Sequence, residues 1–204
     1  MYGAILADPP WTFEPWSEKG TGRGAVAHYR VSSFKELAAM DVAQYAAKDC
    51  VLFLWATDPL LPLAFRLIEA WGFRYSTVAF NWVKAAKHAD LESLTANTTR
   101  SFPFGGGYWT RANPEVCLLA TRGKPKRTHA DVHQLIIAPR REHSRKPDEI
   151  YGRIERLVRG PYLELFARAR RAGWDAALSD QLGLFDQGPV RTRNRPSNLA
   201  RLHA

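Results

Sequence analysis

Apolar positions along this chain follow two different periods. The run Ala4-Ile5-Leu6-Ala7 and the run at residues 50–55 are continuous rather than alternating, which reads as strands buried on both faces, as in a parallel sheet. Between them, Ser33 and Glu36 have capping-box spacing, and Leu37, Met40 and Tyr45 give the following helix one apolar face. After residue 55, Asp58 reads as an N-cap with Pro59 at the first helical position. Leu60, Leu63, Ala64, Leu67, Ile68 and Trp71 then keep helical spacing until Gly72. Strand, helix, strand, helix is set by about residue 72, which predicts an α/β domain with a mostly parallel central sheet flanked by helices.

Further strands are predicted at 75–83, 115–120, 135–138, 162–167 and 174–178. A helix opens at Pro147-Asp148-Glu149, with Ile150, Ile154, Leu157 and Val158 as its buried stripe. Residues 12–29 and 85–111 are glycine-rich and polar and read as long functional loops. The pattern divides the chain into one domain, 1–185, and a basic tail without periodicity, 186–204.

Composition narrows the classes. A net charge of +9 favours a polyanionic partner, although several of the arginines fall in the tail. No apolar stretch has the length of a membrane span, and the first residues enter a strand at once, leaving no room for a signal peptide. The two cysteines, Cys50 and Cys117, sit in apolar runs and read as reduced core thiols, which places the protein in the cytoplasm. His129 and His133 stand four apart, but no third ligand accompanies them, so no metal is expected.

The candidate chemistry starts at Asp8-Pro9-Pro10-Trp11. A carboxylate at the end of a parallel strand lies on the edge where open α/β sheets bind ligands. The two prolines stiffen the turn and remove two N–H donors, leaving carbonyls to accept, and Trp11 offers a flat face. One exocyclic amine on an aromatic ring suits such a corner. An ordinary strand-ending turn with a half-buried Trp has the same sequence.

The motif Asp-Pro-Pro-Trp is that of the MT-A70-like family of adenine N6-methyltransferases, and the resemblance continues through the chain. Phe53-Leu54-Trp55-Ala56-Thr57, Trp82-Val83-Lys84 and Asn113-Pro114-Glu115-Val116-Cys117-Leu118 resemble its next strands. The segment 144–157, with Lys146-Pro147-Asp148-Glu149-Ile150-Tyr151, is the most specific match, followed by Glu164-Leu165-Phe166-Ala167-Arg168, Gly173-Trp174 and Asp180-Gln181. The resemblance implies a Rossmann-like methyltransferase fold in permuted order, with the catalytic strand before the cofactor strand, and S-adenosyl-L-methionine as cofactor. It implies catalytic roles for Asp8, Pro9, Pro10 and Trp11. It implies cofactor contacts from Asp8, Lys146, Glu164, Phe166, Arg168, Asp180 and Gln181, with Lys146 gripping the cofactor's carboxylate. For the target base, the candidates are Trp11, Tyr29, Trp55, Trp82, Lys84, Arg111 and Asn113. The chain departs from the pattern at Asp180, where better-known members carry Asn, and at Arg170-Arg171, where they carry His-Asn, which puts the ribose contacts of that loop in doubt.

The expected substrate is nucleic acid, DNA before RNA, with the adenine flipped out or single-stranded and the two long loops reading its surroundings. The compact chain has no separate recognition domain, so a short target or a second subunit, in a homo- or heterodimer, is expected. The charge-rich segment 140–145 would meet phosphate if it stands beside the cofactor mouth. A catalytically silent nucleic-acid-binding subunit is the competing reading, and the intact Asp8 and Lys146 weigh against it.

Overall fold

In a computed structural model, residues 1–11, 32–87, 89, 101–103, 105, 109–141, 145–179 and 189–190 are described. Tyr29, Asp180, Gln181, all of the tail 186–204 except 189–190, and most of the two long loops lie outside them. The elements run β1 (Tyr2–Ala7), α1 (Phe34–Ala39), β2 (Ala46–Ala56), α2 (Leu61–Ala70), β3 (Arg74–Ala85), β4 (Glu115–Arg122), β5 (Leu135–Pro139), α3 (Glu149–Leu157), β6 (Tyr162–Leu165) and β7 (Trp174–Ala177).

The strands form one seven-stranded sheet in the order β5-β3-β4-β2-β1-β6-β7. Parallel pairing joins β2 to β1, β1 to β6, β6 to β7 and β3 to β5, while β4 runs antiparallel to both of its neighbours. This is the expected Rossmann-like methyltransferase fold, with β1 ahead of β6 in the chain. The two faces of the sheet are both covered, which is why its central strands show no alternation in sequence. Along β1, Ile5 and Ala7 join the cluster with Leu37, Leu67 and Trp71 under α1 and α2, whereas Ala4 and Leu6 join Phe53, Phe80, Ile150 and Ile154 under α3.

Local details follow from identifiable groups. Ser33 caps α1 as a complete capping box with Glu36, and the Trp71 indole N–H donates to the Leu37 carbonyl at 2.8 Å, tying the end of α2 to α1. Gly72 stops α2 at φ +78°, a conformation that costs a residue without a Cβ little.

Several expectations need correction. Asp58 is not an N-cap: it opens a single 3-10 turn, Asp58–Leu60, that feeds α2, and the cap positions fall to Thr57 and Leu60, neither with a side-chain capping bond. Pro59 and Pro62 fall where N–H groups have no intrahelical partner, so both are tolerated. The first helix ends at Ala39, leaving Met40 as its C-cap and Tyr45 beyond it. The sixth strand stops at Leu165 because Phe166 turns left-handed, at φ 61°, and Leu178 does the same after β7, at φ 53°. His129 and His133 do not share a helix. His129 Nδ1 lies 2.8 Å from the Arg156 carbonyl, and among the described residues no cluster could hold a metal. Cys50 and Cys117 are both buried free thiols. No described helix is long and apolar enough to cross a membrane.

Candidate functional site

The chain leaves β1 for β2 on one side, while β6, on the other side of β1, leads to β7. Neighbouring strands whose connections diverge leave a crevice outside their carboxyl ends, and that is where open α/β sheets bind ligands. A cavity of about 370 Å³ opens there, within the range of small-molecule sites. Leu6 and Asp8 contribute from β1, Glu164 and Phe166 from β6, and Lys146 and Tyr151 from the start of α3. Leu6 and Glu164 are register partners, so both project to the α3 face.

Asp8 follows the last residue of β1. The stiff turn behind it is partly self-satisfied: the Trp11 N–H donates to the Pro9 carbonyl at 2.8 Å and the Ser32 N–H to the Pro10 carbonyl at 2.7 Å. Each carbonyl has two lone pairs, so a single such bond does not exhaust the Pro9 oxygen.

Opposite Asp8 stands Lys146. Its ammonium donates to both Asp8 oxygens at 2.8 Å and pairs with Glu115 at 3.3 Å. Glu115 in turn holds Lys84 at 2.6 Å, and Arg168 approaches Asp8 at 3.8 Å. The result is a row of alternating charges, Lys84–Glu115–Lys146–Asp8–Arg168, across the carboxyl edge of the sheet. Burial opposes charge on both central members. The carboxylates of Asp8 and Glu115 outweigh it at Lys146 and raise the ammonium's pKa, while Lys146 and Lys84 outweigh it at Glu115 and lower the carboxyl's.

Glu164 is different. Burial pushes its carboxyl up to about 7; the Tyr151 hydroxyl, which donates at 3.0 Å, and Arg171 and Arg168 pull the other way, while Asp8 adds to the rise. Phe166, two residues later, takes its left-handed backbone at the cavity wall. A non-glycine residue there is strained by roughly 1–3 kcal/mol, a cost that tends to persist where a site requires it.

The aromatic candidates separate. Trp55, at the end of β2, is 1% exposed yet lines the cavity, with the Lys146 ammonium 5.5 Å from its ring centre. Its indole N–H finds no acceptor among the described residues. Trp82 packs edge-on against Trp55 at 6.5 Å and donates to the Ala138 carbonyl at 3.0 Å, so it supports the site from the core. Trp11, 9% exposed, belongs to the apolar cluster on the opposite face, under α1 and α2. It is thus set apart from the cavity wall that Trp55 lines.

Of the remaining candidates, Lys84 is engaged by Glu115 and Arg111 is exposed. Asn113 acts on backbone: its amide bonds the N–H and carbonyl of Lys84 at 3.0 and 2.9 Å and the Pro103 carbonyl at 2.6 Å. Sequence reasoning assigned no role to Glu115, Asp148, Tyr151 or Arg171. Glu115 had a signal, an acid opening an apolar run, but its position needs the direction of β4.

A doubly covered α/β sheet with a charged, carboxylate-lined crevice at its switch point defines a Rossmann-like methyltransferase-type domain. The MT-A70 family model matches residues 2–178. The Mycoplasma protein named Type II methyltransferase M.MunI is 31% identical over 192 residues, 85% of this chain and 75% of that protein. The Arabidopsis thaliana protein named N(6)-adenosine-methyltransferase MT-A70-like is 32% identical over 202 residues, 96% of this chain and 26% of that protein. Human METTL3, named as the catalytic subunit of an N(6)-adenosine-methyltransferase, is 30% identical over 169 residues, 82% and 26% respectively. The chain belongs to the MT-A70 family. It spans about a quarter of the length of the plant and human relatives.

Proposed function

We propose that the protein methylates the N6 amine of adenine in nucleic acid, with S-adenosyl-L-methionine as methyl donor. The observation that carries this reading is the Asp8 carboxylate, fixed by Lys146 at 2.8 Å through both oxygens on the wall of the switch-point cavity. The residues present fit the donor. It is a phosphate-free molecule bearing a carboxylate, an ammonium, a sulfonium and ribose hydroxyls, and the cavity offers Lys146 and Arg168, the acids Asp8 and Glu164, the apolar face of Phe166, and the unpartnered Trp55 N–H. Asp180 and Gln181 belong to the same proposal at its adenine end.

When bound, the cofactor supplies a methyl already activated by its sulfonium. What the chain must supply is orientation. An adenine amine is a poor nucleophile because its lone pair is delocalised into the purine. Asp8 and the Pro9 carbonyl accept the amine's two hydrogens, aim the nitrogen and offset the charge that grows on it. Lys146, held in turn by Glu115, keeps the Asp8 carboxylate aimed. Trp55 walls the pocket. A stacked, paired adenine cannot reach such a cavity, so the target is flipped out or single-stranded.

DNA is the preferred polymer in this reading, because the relative matched over most of its own length carries the name Type II methyltransferase. The names of the plant and human relatives favour adenosine in RNA as the second reading. The test is to incubate the protein with labelled S-adenosylmethionine and, separately, DNA, RNA and free adenine, then digest and identify the modified base. Label in N6-methyladenine from DNA is expected. Label on cytosine N4, or none on any substrate while cofactor binds, would overturn the proposal.

A further inference from the structure

At the mouth of the cavity one carboxylate collects three guanidiniums. Arg141 reaches Asp148 at 2.5 Å, Arg145 at 3.2 Å and Arg171 at 3.0 Å. They come from separate segments, two before α3 and one after β6. Arg171 is further fixed by lying 3.8 Å over the Tyr151 ring. Burial raises the Asp148 carboxyl, but Arg141 and Arg145 outweigh it and hold the group below its ordinary range. All four side chains keep solvent access of more than a third, so the cluster is a rim rather than a floor.

Holding Asp148 in place needs one arginine; Arg171 also packs on Tyr151, but gathering three cations on one carboxylate adds mutual repulsion. Each guanidinium has five N–H donors, and the bonds to Asp148 occupy only a fraction of them. The cofactor does not absorb the surplus. Lys146 and four arginines line the cavity against Asp8, Asp148 and Glu164, and the proposed donor itself carries one net positive charge. Adding a cation to a cavity already in cationic excess leaves the rim without its complement. That complement is an anion outside the cofactor volume, next to the target amine.

We infer that Arg141, Arg145 and Arg171, gathered by Asp148, form a clamp for a backbone phosphate of the strand that carries the target adenine. The inference rests on the methyltransferase reading and deepens it: the rim makes a polymer, rather than a free nucleoside, the ligand. Planar guanidiniums suit bidentate contact with phosphate oxygens, and the Asp148 carboxylate pre-orders them at the cost of one charge.

The test uses the full chain, a short fluorescent adenine-containing oligodeoxynucleotide and S-adenosylmethionine. With Arg141→Gln/Arg145→Gln, oligonucleotide affinity is expected to fall about tenfold or more and the salt dependence to flatten by about one to two charges. Cofactor affinity should fall much less than oligonucleotide affinity, because Arg141 lies outside the cavity lining and Arg145 only at its rim. Arg141→Lys/Arg145→Lys should restore most of the salt dependence, because that slope counts charge and not fork geometry. Unchanged oligonucleotide binding in the Gln variant, an equal loss of cofactor binding, or a Lys variant no better than Gln would each overturn the clamp. A wild-type protein that binds oligonucleotide with the expected slope yet transfers no methyl group would sink the methyltransferase reading and leave the clamp standing.

Discussion

The two halves of the sheet bring acids to the same lysine by opposite routes. On the parallel side, Asp8 arrives at the carboxyl end of β1, the position where open α/β sheets present ligand contacts. On the other side, β4 runs against its neighbours, so its first residue, Glu115, reaches that same edge, across from Trp82 near the end of β3. The two acids also differ in setting. Asp8 faces the cavity, whereas Glu115 is buried between two lysines. A single reversed strand therefore lets an open sheet place a second carboxylate behind its carboxyl edge, where it can hold the lysine from outside the cavity. Asp8 is read here as the group that meets the amine, and Glu115 as a positioning residue.

The sharpest way to break that division is at Asp8. Asp8→Ala should lower methyl transfer by about a thousandfold, since it removes the acceptor that aligns the amine. Lys146 keeps Glu115 as a partner, so the fold and most cofactor affinity should survive. Isothermal titration with cofactor, beside a transfer assay, separates the two. An equal loss of both would mean that Asp8 serves the cofactor as much as the amine.

Glu115→Gln probes the other half. With the acid gone, Lys84 and Lys146 face each other across a buried amide, and a broken buried pair typically costs about 3 kcal/mol. Urea unfolding should report that loss. Turnover should fall about tenfold with little change in KM for polymer, because Asp8 loses its aim rather than its contact. A stability loss with unchanged turnover per folded molecule would leave Glu115 as scaffold only.

Glu164 sharpens the comparison through pH, because on the parallel side it is the acid without a lysine. Its folded carboxyl titrates near 7, above the ordinary value of 4.5, so the folded state holds a proton that the unfolded state has already released. Its contribution to stability is therefore complete below about 4.5 and is lost as pH rises through 7, about 3 kcal/mol in all. Glu164→Gln should flatten the stability profile across that window. Cofactor binding should show the opposite slope, strengthening with pH as the carboxylate forms to meet a cation. A wild-type profile in the Gln variant would remove Glu164 from the titration.

Much of this was legible in the chain. The buried strands announce themselves as unbroken apolar runs, the capping box at Ser33 forms as written, and Asp8 and Lys146, singled out by separate motifs, lie against each other. What sequence could not supply was direction and distance. The place of Glu115 depends on β4 running backward, which an apolar run does not encode. The Asp148 hub joins Arg171 from 23 residues away, and Tyr151 meets Glu164 across the gap between α3 and β6, contacts set by packing alone. Trp11 shows the same limit: an aromatic after a strand can turn to either face, and its place in the α1–α2 cluster is set by packing.

The smallest expected effect tests Asn113, whose residue type alone suggests a base contact. Its side chain instead continues the sheet, bonding the Lys84 backbone on both sides and reaching Pro103. Lys84 thereby keeps its position opposite Glu115, and the antiparallel half stays in register with the site. Asn113→Ala should cost about 1–2 kcal/mol in urea unfolding, the net value of these partly buried bonds. The KM for oligonucleotide should hardly move. A large rise in KM with unchanged stability would return Asn113 to the substrate, and would mean that the antiparallel half meets the nucleic acid directly rather than serving only to hold Lys146 from behind.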